Sequence, residues 1–302
     1  MVLQPVCSTI LDLFMLYENR KQLIALLLPA IVVLGLLTVY PIVSVVYNAF
    51  GEVDHASKNY TFVGLSNFKV LFEDFFFISA IKNTVLFTLV ASFSQVLLGL
   101  WLALLFNRQF SGRRFALPMI IYPMMISTLV CSAIWKSWYH YDSGLLNTVL
   151  VAVGLPAQEW LFNPDLALYS IVLVDTWQWT PMAFLIILAG LQSIPKDIAE
   201  AAMVDGAKGW NSFLHITLPL IQKQVMLAFL LRSIDTFKLF DKVYVMTGGG
   251  PGNSTETLSM FVYKYGFRFF DLGMASASAL VMLVISLLMT LLYAHKTMKG
   301  DK

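Results

Sequence analysis

The chain is short of charge. Of its 302 residues, 20 are Lys or Arg and 18 are Asp or Glu, 13 % in all, against roughly 25 % in soluble domains. So few charges cannot cover the surface of a soluble protein of this length. Disorder is excluded by the other side of the composition, because 58 % of the residues are hydrophobic and a disordered chain is poor in apolar residues. The net charge of +2 is too small to mark a nucleic-acid partner. There are two cysteines, Cys7 in a polar tail and Cys131 in an apolar run, so no disulfide framework is expected. Cys131 reads as a small buried hydrophobe. The four histidines, His55, His140, His215 and His295, are scattered outside or at the edges of the apolar segments. No His-Glu-x-x-His and no Gly-x-Ser-Gly occurs, which removes the metallo and serine types of intramembrane protease. No Gly-Lys-Ser/Thr follows any glycine-rich stretch, so there is no phosphate-cradling loop of the Walker type.

What is present is apolar length. Mean hydropathy is +0.74, and a spanning helix needs about 20 mostly apolar residues. Six segments qualify, at about 23–47, 80–106, 115–135, 166–191, 220–245 and 272–293. The predicted fold class is therefore all-α, a polytopic membrane protein with six transmembrane helices. Pro29 and Pro41 fall in the first span, Pro118 and Pro123 in the third and Pro181 in the fourth. Prolines inside spans are tolerated where neighbours re-satisfy the freed carbonyls, and they favour kinked helices around a cavity. Residues 1–22 read as a cytoplasmic tail. Its segment Thr9 to Tyr17 contains Asp12 and has its positive charges after the apolar run, which fits an interfacial helix better than a signal peptide. Residues 23–295 form the permeation domain, and 296–302 a second tail.

Basic residues set the orientation. Arg20 and Lys21, then Arg108, Arg113 and Arg114, then Lys196, Lys208 and Lys223, then His295, Lys296, Lys299 and Lys302 all fall on one side of a six-span chain. The opposite loops are acidic or mixed, with Glu52, Asp54, Glu73 and Asp74 in one and Asp142, Glu159 and Asp165 in another. Both termini are expected in the cytoplasm.

Two spans carry polar groups that lipid does not tolerate. In the fifth, Arg232, Asp235, Lys238 and Asp241 follow one another at intervals of three with alternating sign. On a helix they neutralise one another in pairs, and the stripe lines either a translocation path or a structural interface. In the fourth, Asp175, Trp177, Gln178 and Trp179 combine hydrogen-bonding groups with aromatic faces, as a sugar site requires; the alternative is an aromatic belt at the interface. Asn83 and Tyr122 are weaker path residues. Trp135, Trp138, Tyr139, His140 and Tyr141 read as an interfacial anchor, and the 14 methionines as packing.

The segment 193–219 has its own logic. Asp197 and Glu200 have capping-box spacing, Ala199, Ala201 and Ala202 favour helix with little bulk, and Gly206 stops it. A second short helix is expected over 211–217 before Leu218-Pro219 turns the chain back into the membrane. A small-faced helix with Glu200 and Asp205 as registering charges can dock into a groove of another protein. The order Glu200-Ala201-Ala202, Asp205-Gly206, Leu218-Pro219 closely resembles the EAA loop of membrane subunits of binding-protein-dependent ABC importers. Other stretches resemble the carbohydrate branch of that family: Thr247-Gly248-Gly249-Gly250-Pro251-Gly252, the segment Phe62 to Phe68, Asn83-Thr84, Trp177 to Pro181, and Asp271 to Ala277. The likeness is to the larger maltose-type or glycerol-3-phosphate-type subunit.

That resemblance implies several things. Glu200, Ala201, Ala202, Asp205, Gly206, Leu218 and Pro219 would couple to a cytoplasmic ATPase. Gly249, Gly250 and Pro251, otherwise a tight turn at the outer end of the fifth span, would touch a periplasmic or extracellular solute-binding protein. Asp175, Trp177, Gln178, Trp179, Arg232, Asp235 and Lys238 would line the substrate path. The chain would do no chemistry and bind no metal or cofactor, ATP and Mg being used by two copies of the ATPase. A second, related permease would complete a heterodimer in the inner membrane of a prokaryote. The solute would be a carbohydrate, or alternatively a non-sugar such as glycerol 3-phosphate. An ATP-independent channel or carrier is the rival reading; a carrier usually shows an internal repeat, and none is evident here.

Overall fold

The structure is a computed structural model, and it describes residues 20–53, 60–195, 197–198 and 209–299. Its regular secondary structure among the described residues is helical except for one short hairpin. Among the described residues, five helices are long and apolar enough to cross a membrane, or six if one bent pair counts as a span.

The first span, α1 (Arg20–Ala49), keeps helical geometry through Pro29 and Pro41. It leans against the last helix but buries none of its most apolar stretch in this chain. Strands β1 (Gly51–Val53) and β2 (Tyr60–Phe62) pair antiparallel with Glu52 opposite Thr61. Asn67, in α2 (Ser66–Glu73), donates from Nδ2 to the carbonyls of Ala49 and Gly51. A side chain at Gly273 would strike the same amide at 2.9 Å. Two of the segments named above, Phe62 to Phe68 and Asp271 to Ala277, thus pack against each other.

Helix α3 (Phe75–Phe106) begins where the Asp74 carboxylate accepts from the Phe76 and Phe77 amides, satisfying donors that a helix start leaves open. Helix α7 (Pro164–Gln192) begins on Asn163, which caps Asp165, with Pro164 at the first turn. These two form the centre of the bundle. They approach closely because Gly99 meets the backbone of Phe184 and Ala183: an added Cβ would sit 2.8 Å from Phe184 N.

The third span is not one helix. Helices α4 (Arg113–Met125) and α5 (Thr128–Trp138) meet at 97°, with Ile126 and Ser127 extended between them. Backbone freed at membrane depth needs a partner, and Gln178 Nε2 donates to the Ile126 carbonyl at 2.8 Å. The expected aromatic anchor is also different. Trp135 and Tyr139 are buried with Phe87, Ile171 and Val243 in a core cluster. A short α6 (Leu145–Ala152) follows.

The fifth span differs at both ends from its expected limits. Leu218-Pro219 does not turn the chain. Helix α8 runs from Gly209 to Phe237 through a π-helical turn at Phe213–Thr217, where the Leu218 N–H donates to Phe213 O, five residues back. Proline lacks an N–H and cannot bond to the residue four before it, and the wider turn absorbs that loss. At the far end the helix stops at Phe237 rather than near 245. Lys238 to Phe240 are irregular, and α9 (Asp241–Met246) starts afresh. Thr257 Oγ1 donates to the Leu239 carbonyl in the break. The chain closes with α10 (Leu258–Tyr263), a π-helical turn at Lys264–Arg268, and α11 (Leu272–Lys299).

Candidate functional site

The four residues predicted around Asp175 separate. Asp175 is buried, and its carboxylate is the hub of a network in the bundle interior. Oδ1 accepts from Lys242 Nζ at 2.6 Å. Oδ2 accepts from Gln95 Nε2 at 2.7 Å and from Arg232 Nη2 at 3.5 Å. Gln95 closes the ring by accepting Arg232 Nε at 2.6 Å on its Oε1. Arg232 also reaches Asp235, one turn along, at 3.2 Å, and its guanidinium lies 5.0 Å from the centre of the Trp179 ring. Buried charges persist only when paired and hydrogen-bonded, and here the carboxylate on α7 draws its three donors from α3, α8 and α9, one from each.

Trp177 faces elsewhere. It stacks edge-on to Trp135 and lines a groove of about 650 Å³ with Leu98, Trp101, Met119 and Tyr169. That groove is apolar and holds no charged residue. Gln178 is consumed by the break in the third span. Of the four, Asp175 and Trp179 line one cavity of about 250 Å³, together with Arg232, Asp235, Lys238 and Lys242.

The charge stripe of the fifth span is likewise rearranged. Arg232 and Asp235 pair as neighbours on α8. Lys238 and Asp241 lie beyond the end of that helix, so the four do not share one helical stripe. Among the described residues, Arg232–Asp235 is the ion pair that forms within it. The residues that complete the network, Gln95 and Lys242, were missed. Lys242 falls outside the interval-of-three pattern, and Gln95 is a neutral amide in an apolar run. Asp175 carried the available signal, since a carboxylate that deep requires donors from other helices.

The outer loop 247–257 is built rather than loose. Thr255 Oγ1 lies 2.8 Å from Thr247 Oγ1 and donates to Gly250 O. Lys264 Nζ donates to Glu256 Oε2 and to Asn253 Oδ1. Asn83, expected as a weak path residue, instead donates from Nδ2 to the carbonyls of Asn253 and Glu256. Gly249 has φ +94°, and a Cβ there would lie 3.4 Å from the Lys264 ammonium. Gly250 and Pro251 line a second cavity of about 370 Å³ with Lys136, Phe162, Tyr244 and Thr247. Beside the loop, Tyr265 donates to Asp74 Oδ2 at 3.0 Å. Burial first, and the Asp74 carboxylate second, push its hydroxyl up to about 12.

Leu218 and Pro219 lie in the first turn of the long part of α8. Glu200, Ala201, Ala202, Asp205 and Gly206 lie outside the described residues, as does the expected interfacial helix of the N-terminal tail.

Comparison with known proteins bears on this arrangement. Residues 95–296 match the family described as binding-protein-dependent transport system inner membrane component. The sulfoquinovosyl glycerol transport system permease protein of Agrobacterium fabrum is 37 % identical over 276 residues, 91 % of this chain and 90 % of that one. The trehalose/maltose transport system permease protein of Thermococcus litoralis is 34 % identical over 278 residues, 92 % and 94 % of the two chains. A chain of a bacterial alginate ABC transporter, crystallised with an alginate-bound periplasmic protein, superposes with a TM-score of 0.82 at 22 % identity, covering 94 % of this chain and 96 % of that one. The chain belongs to the inner-membrane permease subunits of binding-protein-dependent ABC importers, a transport subunit without a catalytic domain.

Proposed function

We propose that this permease carries a carbohydrate. The observation that carries the reading is the pair of relatives matched over more than nine tenths of the chain, both named as permeases for glycosidic solutes. The cavity beside Trp179 supports it. Its carboxylates, Asp175, Asp235 and Asp241, equal its cations, Arg232, Lys238 and Lys242. A balanced, donor- and acceptor-rich lining beside an aromatic ring suits hydroxyls and C–H faces, and offers no excess cation to an anion such as glycerol 3-phosphate. Trp179, Asp235 and Lys238 meet the solute, with Asp175 and Arg232 behind them.

The finer assembly follows the sequence. The EAA-like stretch docks into the ATPase through Glu200, Ala201, Ala202, Asp205 and Gly206, with Leu218 and Pro219 linking it to α8. Two ATPase copies hydrolyse ATP with Mg, and a second permease pairs with this one. Gly249, Gly250 and Pro251 meet the solute-binding protein, and their fixed backbone suits a docking surface. Both termini lie in the cytoplasm, as the basic loops require.

The test is ATP-driven uptake into proteoliposomes that hold the complete complex, supplied with binding protein and a panel of labelled disaccharides, sugar acids and glycerol 3-phosphate. Sugar should enter in an ATP- and binding-protein-dependent way, and Trp179→Ala should slow it roughly three- to tenfold, the range of an aromatic contact. Uptake of glycerol 3-phosphate alone contradicts the reading.

A further inference from the structure

The break in the fifth span leaves two rods, α8 before it and α9 after it, and a single carboxylate holds both. Asp175 Oδ2 faces Arg232 of α8 and Oδ1 faces Lys242 of α9. The break is held from outside where Thr257 caps the Leu239 carbonyl, and α9 is held to α5 where Lys136 Nζ donates to the Val245 carbonyl at 2.8 Å. Helix α9 leads directly into the Gly248–Gly250 loop, whose far side is pinned to α10 by Thr257 and to the following turn by Lys264. At its other end, α8 is continuous with residues 209–217, the end of the segment 193–219.

Without the clasp, α9 would stay with its outer neighbours, held by Thr257 and Lys136, while the three-residue break let it shift relative to α8, because φ and ψ changes at a few residues suffice for a hinge. The Asp175 clasp removes that freedom. Buried in a low-dielectric interior, the two ion pairs are little screened; each ties one rod to α7, and together they fix the rods' relation to each other.

We infer that Asp175, Arg232 and Lys242 are positioning residues that join the two halves of the broken span into one lever, so that movement of the inner segment 193–219 displaces the outer glycine loop. This rests on the reading that 193–219 receives the ATPase stroke. The clasp determines whether that stroke reaches the face where binding protein docks.

The test uses the assembled complex in nanodiscs, with Cys7→Ser and Cys131→Ala and spin labels at Gln222→Cys and Tyr244→Cys, one on each half. The distance is measured without nucleotide and after vanadate trapping. With the clasp intact, a single narrow distribution is expected in both states. Lys242→Met should broaden it and lower stimulation of ATP hydrolysis by loaded binding protein at least fivefold, and Lys242→Arg should restore both. Glu200→Ala serves as the separate control: it should abolish stimulation while the distance stays narrow. Normal stimulation with Glu200→Ala would remove the coupling-loop reading and leave the clasp to be judged by distance. A distance in the unsubstituted clasp that changes between the two states overturns the lever, and this comparison decides the matter even if Lys242→Met fails to assemble. A distribution in Lys242→Met as narrow as that of Lys242 itself overturns it equally.

Discussion

Asp175→Asn removes the charge from a carboxylate that three side chains share. The substitution is nearly isosteric, so the loss is electrostatic. Lys242, 1 % exposed, and Arg232, 2 % exposed, would be left together with Gln95 and the half-exposed Asp235. Stranding buried ions by removing their partner costs about 3–5 kcal/mol. Lys242→Met is milder, because Asp175 keeps Arg232 and Gln95 and loses one donor, about 1–3 kcal/mol. The double variant removes one of the stranded cations along with the carboxylate. Its cost should therefore fall short of the sum of the singles by about 1–3 kcal/mol, the coupling expected of residues in one network. SDS-titrated unfolding of the purified permease in mixed micelles measures all three. Additivity within about 0.5 kcal/mol, or equal costs for the two single variants, would refute the shared-carboxylate geometry.

Other consequences follow from single contacts. Gly99→Ala forces α3 and α7 apart, because the new methyl meets Phe184 N at 2.8 Å and Ala183 Cβ at 2.9 Å; it should cost about 1–3 kcal/mol by the same titration, and Ala183→Gly should rescue it only in part, since the backbone contact remains. Lys264→Met leaves Glu256, 3 % exposed, without its cation, and should increase proteolysis within 247–257 while the spans stay resistant. Tyr265 has its hydroxyl raised from 10 to about 12, so the neutral form is favoured in the fold. The stability this gives is present below pH 10 and is lost as pH rises towards 12. Comparison with Tyr265→Phe by thermal unfolding across that interval should show the difference between them vanish at the alkaline end.

Much of the architecture was legible because lipid imposes a simple rule, that spanning segments are long, apolar and helical. The second, fourth and sixth spans fall within α3, α7 and α11. The breaks in the third and fifth were not legible. Ile126 and Leu239 sit in apolar sequence, and the groups that satisfy their carbonyls, Gln178 and Thr257, are 52 and 18 residues away. The same distance hid the polar network. Interval-of-three spacing identified Arg232–Asp235, a pair local to one helix. Lys242–Asp175 is 67 residues apart and Gln95–Asp175 is 80, and no periodicity within a span reports such a partner. Asp175 was recognisable as a charge needing company, and the fold supplied the company.

In the proposed function, this permease turns an ATPase stroke on residues 193–219 into transport. ATP hydrolysis by the reconstituted complex, with and without sugar-loaded binding protein, compared among the unsubstituted permease, Glu200→Ala and Gly206→Pro, tests it most directly. Stimulation by one loaded binding protein is expected in the unsubstituted complex, and its loss, or loss of ATPase association, in both variants. Full assembly and full stimulation in both would contradict it.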